Sequence, residues 1–311
     1  MTRFILHRLA ALPVTALLAA AIVFALLRLA PGDPASALIG ENATPRQIQQ
    51  INQNLGLDQP LHIQLARWTA QVAQLNLGNS LASGHKVSDL IAQRLPATLS
   101  LAALAFVLSI VLALPLLLAT GNNSAAPSVI AAAVLAVPVF IWGYALVWGL
   151  ALALDWFPAQ GWPTRPSPAA ALHHLALPAV SLALVQAALI LRLARPFFLA
   201  GLAFLDAARA RGESGLRILV HHRLRAALPA LLTAAGLSLA TLLGGVVVTE
   251  SVFHLPGVGR LVASAALNRD YPVVQGVVLL LAAAVIVLNL VIDILVAVAD
   301  PRLRHGARTS S

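Results

Sequence analysis

The 311-residue sequence contains no cysteine, one methionine and one lysine, and only 10% of its residues carry a formal charge. The absence of cysteine excludes disulfide staples and thiolate metal sites. The lone lysine, Lys86, follows His85, so the chain cannot form a Gly-x-x-x-x-Gly-Lys-Ser/Thr phosphate cradle, and ATP chemistry is expected to lie elsewhere. Acidic residues are also scarce, eleven against twenty basic ones, which leaves a net charge of +9 and a pI near 11.6.

Apolar residues are abundant. Hydrophobic residues make up 59% of the chain and the mean hydropathy is +0.87. A soluble domain of this length cannot bury that much apolar surface, so lipid must solvate part of it. Residues 9–27, 95–154, 166–191, 226–249 and 271–292 are free of Asp, Glu, Lys and Arg. About 20 apolar residues are needed to carry a helix across a hydrocarbon core of about 30 Å, so four of these runs hold one span each. The run at 95–154 is long enough for two, with turn formers Gly121-Asn122-Asn123-Ser124-Ala125-Ala126-Pro127-Ser128 at its middle. An all-α integral membrane protein with six transmembrane helices is expected. Arg3 and Arg8, the first apolar run and Ala35-Ser36-Ala37 imitate a secretion signal, but a cleavable apolar core is about 7 to 15 residues, shorter than 9–27. That run is read as a retained span, ended by Pro31-Gly32-Asp33-Pro34 because proline removes a backbone donor and disfavours helix before it.

The distribution of charge sets the orientation. Arg195, Arg209, Arg211, Arg217, Arg223 and Arg225 lie between the fourth and fifth spans, Arg302, Arg304 and Arg308 follow the sixth, and Arg3 and Arg8 precede the first. In a six-span chain these all fall on one side, which the positive-inside rule makes cytoplasmic, together with both termini. The same distribution argues for membrane lipid and against nucleic acid as the target of the basic charge.

The one sizeable polar segment, 31–94, then lies outside the membrane on the opposite face. Thr44-Pro45-Arg46-Gln47 reads as a capping box with proline at the first helical position, and Gly56 stops the helix that follows. Leu61, Leu65, Trp68, Val72 and Leu75 recur at helical spacing and predict an amphipathic helix. The segment is either a lid packed on the bundle or a docking surface for a soluble partner.

The loop at 195–228 holds the candidate site. Ala207, Ala208 and Ala210 keep one helix face narrow enough for another protein to approach, and Gly212 lets the chain reverse where a Cβ would strain. After Gly215 a second helix is expected from about Leu216, with Arg217, His221 and Arg225 on one face. Such a stripe suits anionic lipid headgroups as well as protein. Glu250 and Asp155 fall at span ends, where a charge costs little. The adjacent pairs His173-His174 and His221-His222 do not converge on one ion, since helix neighbours point about 100° apart, and no metal site is expected.

Asp206-Ala207-Ala208, Gly212 and Leu228-Pro229 resemble the EAA loop of binding-protein-dependent ABC importer permeases, with Asp in place of the usual Glu. The resemblance covers nearly the whole chain and narrows to the dipeptide, oligopeptide and nickel permeases. It is carried by Pro31-Gly32-Asp33-Pro34, Leu55-Gly56-Leu57-Asp58-Gln59-Pro60-Leu61, Leu77-Gly78-Asn79-Ser80, Arg94-Leu95-Pro96-Ala97-Thr98-Leu99 and His174-Leu175-Ala176-Leu177-Pro178-Ala179. It continues through Glu250-Ser251-Val252-Phe253, Pro256-Gly257-Val258-Gly259-Arg260, Asn268-Arg269-Asp270-Tyr271-Pro272, Asn289-Leu290-Val291-Ile292-Asp293 and Asp300-Pro301-Arg302. Two departures are the absence of basic residues at 121–128 and a stretch from Gly212 to Pro229 that is one residue shorter than in many relatives.

What the resemblance implies is a type I ABC importer permease of MetI-like fold with an extracytoplasmic helical insertion after the first span. Residues 1–94 would be the first helix and the insertion, 95–300 the ABC transmembrane type-1 domain with its coupling loop near 195–228, and 301–311 a cytoplasmic tail. Asp206, Ala207, Ala208, Arg211 and Gly212 would contact an ATPase subunit. Partners would be a second homologous permease, two cytoplasmic ATPases holding ATP and Mg, and an extracytoplasmic solute-binding protein; this chain would carry no cofactor, no metal and no catalytic residue. Di- or oligopeptides are the expected solutes, with nickel or a metal chelate as a sister reading. A self-contained ion-coupled transporter is the alternative from another class, for which polar, broken helices near the bilayer midplane are expected.

Overall fold

Proline and glycine decide where the long apolar runs of this chain become separate helices. The computed structural model describes residues 13–15, 17–19, 21–25, 46, 49, 53, 58–119, 125–163, 167–199 and 210–299. The expectations for 31–34, most of the capping box at 44–47, the turn at 121–124 and the block at 300–302 lie outside these residues. The helices are α1 (Leu61–Ala73), α2 (Val87–Ala119), α3 (Ala126–Ala136), α4 (Val139–Leu146), α5 (Pro168–Leu199), α6 (Arg225–Val252), α7 (Val258–Leu267) and α8 (Tyr271–Ala299). An apolar helix over Pro13–Ala25 precedes them. Among the described residues, α2, α5, α6 and α8 are long and apolar enough to cross a membrane, and α3 with α4 makes a fifth if counted as one span.

That fifth candidate is not one straight helix. The two pieces meet at 92°. Pro138 has no N–H to offer the preceding turn and pushes Val137 into an extended conformation, with φ −99° and ψ 124°. The Trp142 indole N–H donates to the Val134 carbonyl at 3.2 Å and staples the bend, and α4 continues as a π-helical segment, Val147–Ala153.

Residues 99–255 and those from 287 onward form one compact unit. The axis of its packing is α5, where Leu175, Ala179, Leu182, Gln186, Ile190, Ala194 and Phe198 are buried at steps of three and four. One core joins Leu175 and Leu182 to Leu101 of α2, Leu242 and Val246 of α6, and Phe253; another joins Leu191 and Phe198 to Leu117, Ala131 and Ala227. Lipid gives helices no hydrophobic reason to associate, so close packing of small residues has to hold them. At Gly236 an added Cβ would stand 2.6 Å from Ile292 Cδ1 and 2.7 Å from Cγ2, and at Gly245 one would stand 2.9 Å from Leu182 Cδ2. Within the same unit, Gln186 Oε1 accepts the Ser238 hydroxyl at 2.9 Å and the Thr241 hydroxyl at 3.2 Å, a polar cluster halfway along α5 and α6. Glu250, read from sequence as interfacial, is wholly buried in the last turn of α6.

Residues 2–98 and 256–286 form the other unit. Its core is Val87, Ile91, Val258, Leu261, Ala265, Val273, Val274 and Val277. Motifs far apart in sequence meet here in pairs. The Asp270 carboxylate accepts the Ser80 hydroxyl, the Leu81 N–H at 3.0 Å and the Ala82 N–H at 3.4 Å, which ties 77–80 to 268–272. Thr98 Oγ1 accepts the Val258 N–H at 2.8 Å, capping the start of α7 from a distant segment and tying 94–99 to 256–260. Phe24 stacks on Trp68 of α1 with ring centroids 6.3 Å apart. The amphipathic stripe is shorter than expected: Leu65, Trp68 and Val72 are half-buried, but α1 ends at Ala73, and Leu75 has φ +59° and is exposed.

A candidate coupling site at the 210–225 elbow

Ala210 is helical and exposed, and Arg211 and Gly212 form the turn that follows it. Gly212 has φ +79°, and among the described residues a Cβ built there would meet nothing within 4 Å. The backbone conformation is therefore a reason for glycine here. Ser214 is extended and caps the next turn, its hydroxyl oxygen accepting the Arg217 N–H at 3.4 Å. From Gly215 the chain is helical without interruption to Val252: one α-turn, a π-helical segment over Ile218–Leu224, then α6.

The expected basic stripe falls on the head of this helix, where the segment Ile218–Leu224 is π-helical. Arg217, His221 and Arg225 are all exposed, whereas His222 and Arg223 are half-buried.

Those two half-buried residues make the connections. His222 Nε2 donates to Glu213 Oε2 at 2.9 Å, and Arg211 Nη2 donates to Glu213 Oε1 at 3.1 Å. The His222 bond, and after it the Arg211 bond, holds the Glu213 carboxyl below the ordinary glutamate value, against a smaller upward push from desolvation. The Arg223 guanidinium lies over the Phe198 ring at 5.7 Å, attaching the head of the α6 helix to the end of α5. Arg195, also near the end of α5, donates to the Ser128 hydroxyl of α3 at 2.7 Å.

Of the five residues singled out by sequence, Arg211 and Gly212 are brought together at this turn; Asp206, Ala207 and Ala208 lie outside the described residues. Sequence reasoning missed Glu213. A carboxylate in a turn, nine residues from its histidine, falls on no helical period. It also missed Gln186, which an apolar context hides.

His173 and His174 have protein partners. His173 Nε2 donates to the Trp156 carbonyl at 3.0 Å and His174 Nδ1 to the Gly161 carbonyl at 3.1 Å, while the Gly161 N–H donates to Phe253 at 2.8 Å. The His174 and Phe253 motifs thereby meet through one loop. Among the described residues no three His, Asp or Glu side chains gather as metal ligands.

The family described as "Binding-protein-dependent transport system inner membrane component" matches residues 106–305, and its N-terminal counterpart matches residues 1–102. The chain belongs to this family. Among curated relatives, the "Probable peptide ABC transporter permease protein y4tP" of Sinorhizobium fredii is 37% identical over 310 residues, covering 97% of this chain and 99% of the relative. The "Di/tripeptide transport system permease protein DppB" of Pseudomonas aeruginosa is 36% identical over 334 residues, covering 98% and 99%. A solved chain of the MetNI methionine ABC transporter in an inward-facing conformation aligns with a TM-score of 0.57 at 20% identity, over 68% of this chain and 96% of that one. The fold of this permease is thus the all-helical, MetI-like type I importer fold.

Proposed function

We propose that this permease forms one half of the translocation pathway of an ATP-driven importer for di- or oligopeptides. The solute class rests on the relatives y4tP and DppB, a probable peptide permease and a di/tripeptide permease that align over nearly their whole length. On this reading the chain crosses the bacterial inner membrane six times with both termini in the cytoplasm, the apolar helix at Pro13–Ala25 being part of the first span. The segment up to residue 94 projects outside as the helical insertion, 95–300 is the membrane domain and 301–311 is the tail. A second homologous permease lies against this one. Support for that partner comes from α8, on which no described side chain beyond Val277 is buried and Val287, Val291, Leu295 and Val298 form an exposed stripe.

The elbow is the coupling element, with Asp206, Ala207, Ala208, Arg211 and Gly212 meeting one of two cytoplasmic ATPases. ATP and Mg are bound there and not on this chain. A solute-binding protein delivers cargo from outside. The observation that carries the reading is the left-handed turn at Gly212, which follows the exposed helical Ala210 and leads through Ser214 into the membrane-crossing helix α6. The test is site-directed cross-linking. With no native cysteine in the chain, Ala210→Cys provides a unique label, expected to cross-link to an ATPase subunit in the assembled importer and to be sealed from external reagents in cells. Labelling of that position from outside intact cells would overturn the topology and the coupling role together.

A further inference from the structure

Between the Arg211–Gly212 turn and the helix that starts at Gly215, the main-chain link is two non-helical residues, Glu213 and Ser214, the second of them extended. The Glu213 side chain bypasses this link. Its two oxygens are used separately, one on Arg211 in the turn and one on His222 in the π-helical head of the membrane helix. The side-chain exposures rank the two limbs: 54% for Arg211, 26% for His222 and 19% for Glu213. The Arg211 limb is thus open to solvent screening, while the His222 limb is the more sheltered.

We infer that Glu213 is a positioning residue for coupling: its carboxylate clamps the Arg211–Gly212 turn to His222, so that movement of the elbow reaches α6 as movement of a rigid body. The inference rests on the elbow being the contact with the ATPase, as proposed above. The neighbouring Arg223, seated on the Phe198 ring, gives the same π segment an attachment to α5. The head of α6 is therefore held on two sides, by Glu213 toward the elbow and by Phe198 toward the adjoining helix. A pull through Glu213 is carried to the head of α6, and through Arg223 to the end of α5, in place of unwinding the turn. π-helical segments within α-helices recur at functional sites, and here the segment supplies both neighbouring residues.

The test uses the assembled importer in liposomes, with the second permease, both ATPases and the binding protein purified with its natural cargo. ATP hydrolysis is measured with and without loaded binding protein, together with uptake of a radiolabelled dipeptide per ATP consumed. Glu213→Ala and His222→Ala are each expected to lower stimulation by the binding protein about tenfold, the effect of losing one charge-assisted hydrogen bond. The double variant is expected to be no worse than Glu213→Ala alone, because His222 acts through the Glu213 carboxylate. Glu213→Gln keeps the shape and one neutral hydrogen bond and is expected to fall between wild type and Glu213→Ala, which a loss of folding would not produce. Ala210→Cys should still cross-link to the ATPase in every variant. Wild-type stimulation in Glu213→Ala with the cross-link intact would overturn the clamp alone. Absence of the cross-link in the otherwise unaltered chain would overturn the docking reading, and the clamp with it.

Discussion

Replacing Gly212 separates a conformational requirement from a contact requirement. The position has φ +79° with nothing within 4 Å of a built Cβ, so among the described residues the only penalty for a side chain is the left-handed backbone. That penalty is about 1–2 kcal/mol for an ordinary L-residue, smaller for asparagine, whose short polar side chain tolerates this region, and larger for a β-branched residue. About 1 kcal/mol is roughly a fivefold change in the population of the correct turn. The expected order of uptake per ATP consumed is therefore Gly, then Gly212→Asn, then Gly212→Ala, then Gly212→Val, with the alanine variant reduced about fivefold. Asparagine is larger than alanine, so the two accounts give opposite orders. If Gly212→Asn were as damaging as Gly212→Val while Gly212→Ala stayed near wild type, size would govern. The partner's surface, and not the backbone angle, would then be the reason for glycine. The assay is transport and ATP hydrolysis by the reconstituted importer, with co-purification of the subunits as the check on assembly.

Further expectations concern the packing and the two polar clamps. Gly236→Ala places a methyl 2.7 Å from the branched Cγ2 of Ile292, which cannot swing away, so an overpacking cost of about 1–3 kcal/mol is expected in thermal unfolding of the purified permease, with relief by Ile292→Ala. An equally stable Gly236→Ala single variant would show that α6 and α8 do not approach this closely. Asp270→Asn exchanges the charged acceptor of Ser80, Leu81 and Ala82 for a neutral amide and is expected to cost about 1–3 kcal/mol, read as faster proteolysis between Leu75 and Lys86. For Glu213, the folded-state value lies below the ordinary 4.5, so its stabilising contribution is present above pH 4.5 and lost as pH falls through the lowered value. Protection of the Gly212 to Arg217 amides, taken relative to the intrinsic exchange rate at each pH, should fall on acidification through that window in wild type. In Glu213→Gln it should already be low at neutral pH, and protection there equal to wild type would count against the ion pair.

The membrane class, the positions of the long helices and the family were legible in the residues, because each depends on local composition or on motifs read in order. A run without charges must find lipid or a partner wherever it folds, and glycine before a polar turn marks a reversal without reference to anything distant. The tertiary structure decided what those motifs touch. Leu77-Gly78-Asn79-Ser80 and Asn268-Arg269-Asp270 are separated by most of the chain, yet one carboxylate satisfies a hydroxyl and two amides across them. The bend at Pro138 was overlooked in an apolar run that hydropathy treats as uniform, and its staple, Trp142 to Val134, depends on the angle it maintains. Glu213 and Gln186 became visible only when their partners were brought beside them. Apolarity and helical period act over a few residues and can be counted along a sequence. A hydrogen bond has direction and a reach of about 3 Å, so which groups satisfy one another is fixed only once the helices have packed.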